Sequence, residues 1–192
     1  MYQPIDNLPI GFNFNNRSEN ELKAYKEWFI RNKEQRLEEL AKAVNADDGV
    51  SKDLKLDFSE ESLIELGRWL KDNVAIEKLS PEAYDRKRKS VPSYIDINDW
   101  DLTVRTYSLL VDIGIYWGEV FIKEFPKLKW SQCISKIKDD ADHGHMVIRG
   151  FGKKDVFNPI RVMAMLGLSL ADNSQGSERL HQLHLVWKAF LK

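Results

Sequence analysis

Asp112, Glu119 and Arg105 interrupt an otherwise apolar stretch, residues 101–123. At 100° per residue, Leu102, Leu109, Leu110, Ile113, Trp117 and Phe121 help cover most of a helix circumference. Asp101, Arg105, Ser108, Asp112, Glu119 and Lys123 share one narrow strip. A helix apolar on nearly every side belongs in a core, so its polar strip must be solvated or paired. Two carboxylates can act as acid and base when their surroundings separate their pKa values. Asp112 and Glu119, however, stand two turns apart, about 10 Å along the axis, which is long for joint action on one bond. Two other readings stay open. The strip is a solvent-facing seam, with Asp101–Arg105 and Glu119–Lys123 as acid-first pairs four residues apart. Or it floors a groove in which Arg105, Asp112 and Glu119 offer both signs of charge to a partner or ligand.

The remaining reactive side chains give weaker patterns. His143-Gly144-His145 lies beside Asp139, Asp140 and Asp142, a donor set that suits a divalent metal. No matching third ligand is apparent, so no metal is expected. His181 and His184 are three apart rather than four and have no acid between them, which favours packing or surface placement. Cys133 falls within an expected strand, where nothing by itself lowers a thiol pKa, so a buried structural thiol is expected. Arg86-Lys87-Arg88-Lys89 lacks interleaved aromatic residues and reads as a solvated helix end. The chain has no phosphate-cradling loop, dinucleotide fingerprint or Gly-x-Ser-x-Gly elbow. No catalytic residue and no cofactor follow. Trp28 and Trp69 fall off the apolar faces of their helices, and an exposed Trp marks a contact. The contact is with the rest of the chain or with a partner.

These residues need scaffolding, and periodicity supplies it. Residues 1–17 read as an irregular arm. Ser18-Glu19-Asn20-Glu21 forms a capping box for a helix to about residue 44, with Leu22, Tyr25, Phe29, Leu40 and Val44 on one face. Lys33 and Arg36 interrupt that face. Leu54–Phe58 alternates like a short strand. Helices follow over about 60–73, from Ser80-Pro81, and over about 99–124, ended by Pro126. Residues 128–135 and 145–151 read as an antiparallel hairpin. Helices over about 159–171 and 178–191 close the chain. The pattern is α+β: a mostly helical single domain (1–192) with a central apolar helix and a small antiparallel sheet in the C-terminal third. It divides into the arm (1–17), a helical N-terminal part (18–90) and an α+β core (91–192).

Composition narrows the classes. The 192 residues are 43% hydrophobic and 31% charged, with a formal net charge of −1. Neither a nucleic-acid nor a membrane partner is implied. Residues 126–192 carry 11 basic and 6 acidic side chains, while the rest is acidic overall. This is complementarity between packed halves or a basic face for an acidic partner. One cysteine excludes an internal disulfide framework, and the cytoplasm is the expected location.

Asp112-Ile113-Gly114-Ile115-Tyr116-Trp117-Gly118-Glu119-Val120, then Pro126, Lys129-Trp130 and Phe157-Asn158-Pro159, resembles uncharacterised small bacterial proteins, some of them similar to immunity proteins that neutralise a toxin. The resemblance covers roughly residues 100–190 and assigns no functional residue. It implies a non-catalytic protein-binding domain whose protein partner is a toxin; separately, a homodimer through the N-terminal helices would make a second copy of the chain the partner. The alternative is an enzyme with a cleft along residues 101–123. Binding candidates under either reading are Arg105, Asp112, Glu119, Trp28 and Trp69.

Overall fold

The computed structural model describes residues 1–6, 8, 14, 17–49, 54–137, 139–152 and 156–191. Helix α1 (Glu19–Asn45) starts where its capping box requires. Ser18 N–H donates to Glu21 Oε2 at 2.9 Å, and Glu21 N–H donates to Ser18 Oγ at 3.3 Å. Then come α2 (Ser62–Asn73), β1 (Ile76–Lys78), α3 (Pro81–Lys89), β2 (Trp100–Leu102) and α4 (Val104–Glu124). The chain finishes with β3 (Lys129–Gln132), β4 (Met146–Arg149), β5 (Val156–Phe157), α5 (Pro159–Ala171) and α6 (Arg179–Ala189). The fold is therefore α+β, with helices gathered around small antiparallel sheets of two and three strands.

Helix α4 is the hub. Every residue from Ser108 to Gly118 is buried. Trp117 meets Phe157 edge-on with ring centroids 4.7 Å apart, and Phe121 packs against both Phe151 and Phe157. Gly114 and Gly118, one turn apart, are packing notches. A Cβ at 114 would lie 2.7 Å from the Ile160 Cα, and one at 118 would lie 2.2 Å from the Trp130 ring. Helix α5 and strand β3 can thus approach the α4 backbone directly.

Three local expectations are corrected. The central helix starts at Val104 rather than near 99, because Thr103 takes the cap position and its hydroxyl accepts from Thr106 N–H. Residues 100–102 instead pair antiparallel with β1, Ile76 opposite Leu102. Asp101 therefore leaves the helical strip, accepting the Tyr107 hydroxyl at 2.7 Å. Leu54–Phe58 is not a strand. Phe58 has φ 59°, and its N–H donates to the Tyr116 hydroxyl at 2.8 Å instead of to a ladder partner. The expected hairpin, β3–β4, is present with Trp130 opposite Ile148, and it gains a third strand where Phe157 pairs with Ile148. Two residues are too few for that strand to announce itself by alternation.

Candidate functional site

The polar strip of α4 is covered by α1 and the N-terminal arm. Asp112 is fully buried. Arg36 grips it through Nε to Oδ1 at 2.7 Å and Nη2 to Oδ2 at 2.6 Å, and the Tyr2 hydroxyl donates to Oδ2 at 2.7 Å. Burial pushes the Asp112 carboxyl up to about 6, and the Arg36 and Tyr2 hydrogen bonds hold it from rising further. It is therefore ionised and paired at neutral pH. Around it, Arg36 Nη1 donates to the Gln3 carbonyl, Gln3 N–H to Glu39, and Ile5 N–H to Ser108 Oγ. Seven residues further along α4, Glu119 accepts from Lys33 Nζ at 2.6 Å and from Trp130 Nε1 at 2.7 Å.

The two cations that interrupt the apolar face of α1 are thus the counterions of Asp112 and Glu119 on α4. Neither a solvent-facing seam nor an open groove survives this geometry. The expected Glu119–Lys123 pair also gives way, since Lys123 Nζ donates to the Asp57 carbonyl at 2.5 Å. Arg105 is exposed, with its guanidinium 5.8 Å from the Tyr2 ring centroid. Arg105, Asp112 and Glu119 do not converge in a cleft. Trp28 and Trp69 are buried, Trp28 stacked with Tyr25 and Trp69 donating to Asp47 Oδ2 at 2.9 Å. Neither ring is available to a partner.

The described residues instead open a cleft on another side of α4, with a volume of about 470 Å³. Its apolar walls are Leu110 and Val111 of α4, Ile160 and Ala164 of α5, Phe14 and Ala141. Its polar lining is Tyr107, Asp139, His143, His145 and Arg161. The size suits a small molecule or one large side chain. The His143-Gly144-His145 turn, set aside as a metal site for want of a third ligand, contributes both histidines to this wall. Gly144 has φ +81°, and a Cβ there would lie 2.9 Å from the Phe14 ring and 2.7 Å from Leu22. Glycine thus lets the turn close on α1 and brings Phe14 against His145, ring centroids 4.0 Å apart.

The two histidines differ. His143 Nδ1 sits 3.1 Å from the Ser135 carbonyl and 3.2 Å from Ser135 N, so it is held by backbone. The His145 ring has no hydrogen-bond partner among the described residues, and burial pushes its pKa down to about 4. At neutral pH it is an uncharged imidazole with one donor and one acceptor. Arg161 is 48% exposed and reaches Asp142 Oδ1 only at 3.6 Å, a weak pairing. Among the described residues, no Ser, Cys, Thr or Lys lines the cleft. Cys133 is buried just past the end of β3, its backbone paired with Gly144 and His145, and burial pushes its thiol up.

A second polar cluster lies where α2, α4 and α6 meet. His184 Nε2, Glu60 and Glu124 place ligand atoms within 4.8 Å of one another, a donor set suited to zinc. Two features oppose a metal. The Trp117 indole N–H, which can only donate, points at His184 Nδ1 at 3.2 Å, so the proton of the neutral ring sits on Nε2, where a metal needs a lone pair. In addition, Lys188 Nζ bridges Glu60 and Glu124 and takes the cationic position itself. The cluster is an ion-paired seam that fastens α6 to the body. Two of the four cations in the basic run of α3 are spent internally, Lys87 on the Trp100 carbonyl and Arg88 on those of Val91, Pro92 and Ile95, while Arg86 and Lys89 are exposed.

No family model matches the chain, and no curated protein or solved structure matches it at a significant level. No helix among the described residues is long and apolar enough to cross a membrane.

Proposed function

We propose that this chain is a non-catalytic protein-binding domain whose recognition centre is the cleft between α4, α5 and the β3–β4 connection. The observation that carries the reading is where the polar groups are spent. The acids suited to chemistry on α4 are locked into internal pairs with Arg36, Lys33, Tyr2 and Trp130. The open cleft has apolar walls, an uncharged imidazole and, among the described residues, no nucleophile beside a base. Three large apolar side chains near its lining residues in sequence are exposed: Val104 at 62%, Ile137 at 74% and Met165 at 61%. Apolar surface rimmed by polar groups is the usual composition of a protein contact.

The resemblance to immunity-type proteins makes a toxin the partner of choice, with the cytoplasm as the place of encounter. Ala164→Trp, which fills the cleft, is the test. Wild-type chain is expected to retain a specific protein from its source cell extract, and the variant, folded by circular dichroism, to lose it. Retention of the same protein by both would overturn the cleft as recognition centre. If the retained protein is a toxin, its expression arrests growth and co-expression of this chain restores it.

A further inference from the structure

We propose that the α4–α5 cleft receives a single aromatic ring carrying one hydrogen-bonding edge, its faces against the apolar walls and its edge against His145. The cleft of about 470 Å³ holds a bicyclic ring with room to spare, and the Phe14 ring already forms one flat wall. Leu110, Val111, Ile160 and Ala164 supply apolar contact without polar demands. His145 supplies the demand. Its ring is unpartnered among the described residues, stands against Phe14 and faces the cavity. An occupant that covered this ring without pairing it would bear the cost of an unsatisfied polar group, and a matching ligand edge avoids that cost.

A purely aliphatic occupant would leave His145 unpaired. A strongly charged one would lose hydration against six apolar side chains, with only the solvent-exposed Arg161 and Asp139 in compensation. An indole- or phenol-like ring satisfies both walls and edge. The same chemistry has two sources: a free heteroaromatic molecule, or a Trp or Tyr side chain of the protein partner. The second source rests on the reading in the preceding section.

Indole and its carbocyclic isostere indene separate edge from shape. In NMR titrations of the wild-type chain, indole is expected to shift the methyl signals of Ala141 and Ala164 and the His145 ring signals. Indene is expected to bind about tenfold more weakly, the cost of the unmade hydrogen bond. His145→Phe is expected to bind the two equally. Equal binding of both by wild type, or no shift at these residues, would overturn the proposal without needing any variant to fold.

Competition with the retained partner distinguishes the sources. If indole displaces the partner, the ring comes from the protein. If indole binds but the partner is retained, the ring is a free ligand and the protein-recognition reading of the cleft fails while the proposal stands. If indole does not bind and Ala164→Trp still loses the partner, the proposal fails and the reading survives.

Discussion

Asp112 carries the clearest consequence at the scale of single residues. It is fully buried and gripped by Arg36 and Tyr2. Asp112→Asn leaves the Arg36 charge without its counterion, so a loss of about 3–5 kcal/mol is expected by chemical denaturation. Arg36→Met with Asp112→Leu, which removes both charges, is expected to return most of that loss.

His145 makes a second prediction, in pH. Its folded pKa, about 4, lies below its ordinary value of 6.5. The unfolded chain therefore binds more protons between these values, and His145 costs stability as pH falls from 6.5 to 4. Asp112 acts in the opposite sense, its folded pKa being raised, so the whole-protein pH curve mixes the two. Comparison with His145→Phe isolates the histidine. The stability of wild type relative to this variant is expected to fall by about 3 kcal/mol across that window. NMR of the ring should show titration near pH 4. Titration near 6.5 would contradict the burial of the ring.

At this scale the sequence displayed the acids on α4 but not their partners. Lys33 and Arg36 read as faults in the apolar face of α1, and Asp112 and Glu119 as a polar strip on α4. Each fault is the other's complement, which appears only when the two helices are laid together. The His143-Gly144-His145 turn was visible as a motif, but its role depends on Phe14 and α5, distant in sequence.

Among elements, the apolar helices, both cap signals and the hairpin were legible because they rest on local periodicity and local hydrogen bonds. The two-residue strand β5 and the β1–β2 pair were not, because short strands exist only through their partners. The arm was legible as irregular but not as a clamp. Tyr2, Gln3 and Ile5 bridge α1 and α4 through five hydrogen bonds with Asp112, Arg36, Glu39 and Ser108. Removing residues 1–5 is expected to cost about 2–4 kcal/mol, measured by urea denaturation. In the shortened chain, Asp112→Asn should cost less than in the full chain, because the groups act as one network. For α6, the proton on His184 Nε2 and the Lys188 bridge predict that excess zinc leaves Tm unchanged. A rise in Tm on adding zinc would contradict that tautomer.

For the whole molecule, the uneven charge along the chain is partly resolved inside it. Lys188 from the basic last third sits between Glu60 and Glu124 of the acidic middle. The hub helix then divides the molecule's work. One side of α4 is sealed by α1 and the arm and holds charge for stability. Another side opens to the cleft and holds apolar surface for recognition.

Hydrogen–deuterium exchange of the chain with and without its retained partner tests that division most directly. New protection is expected at residues 104–111, 139–145 and 160–165, with the middle of α1 around Arg36 unchanged. Protection confined to the outer face of α1 or to α6, with the cleft exchanging freely, would contradict it.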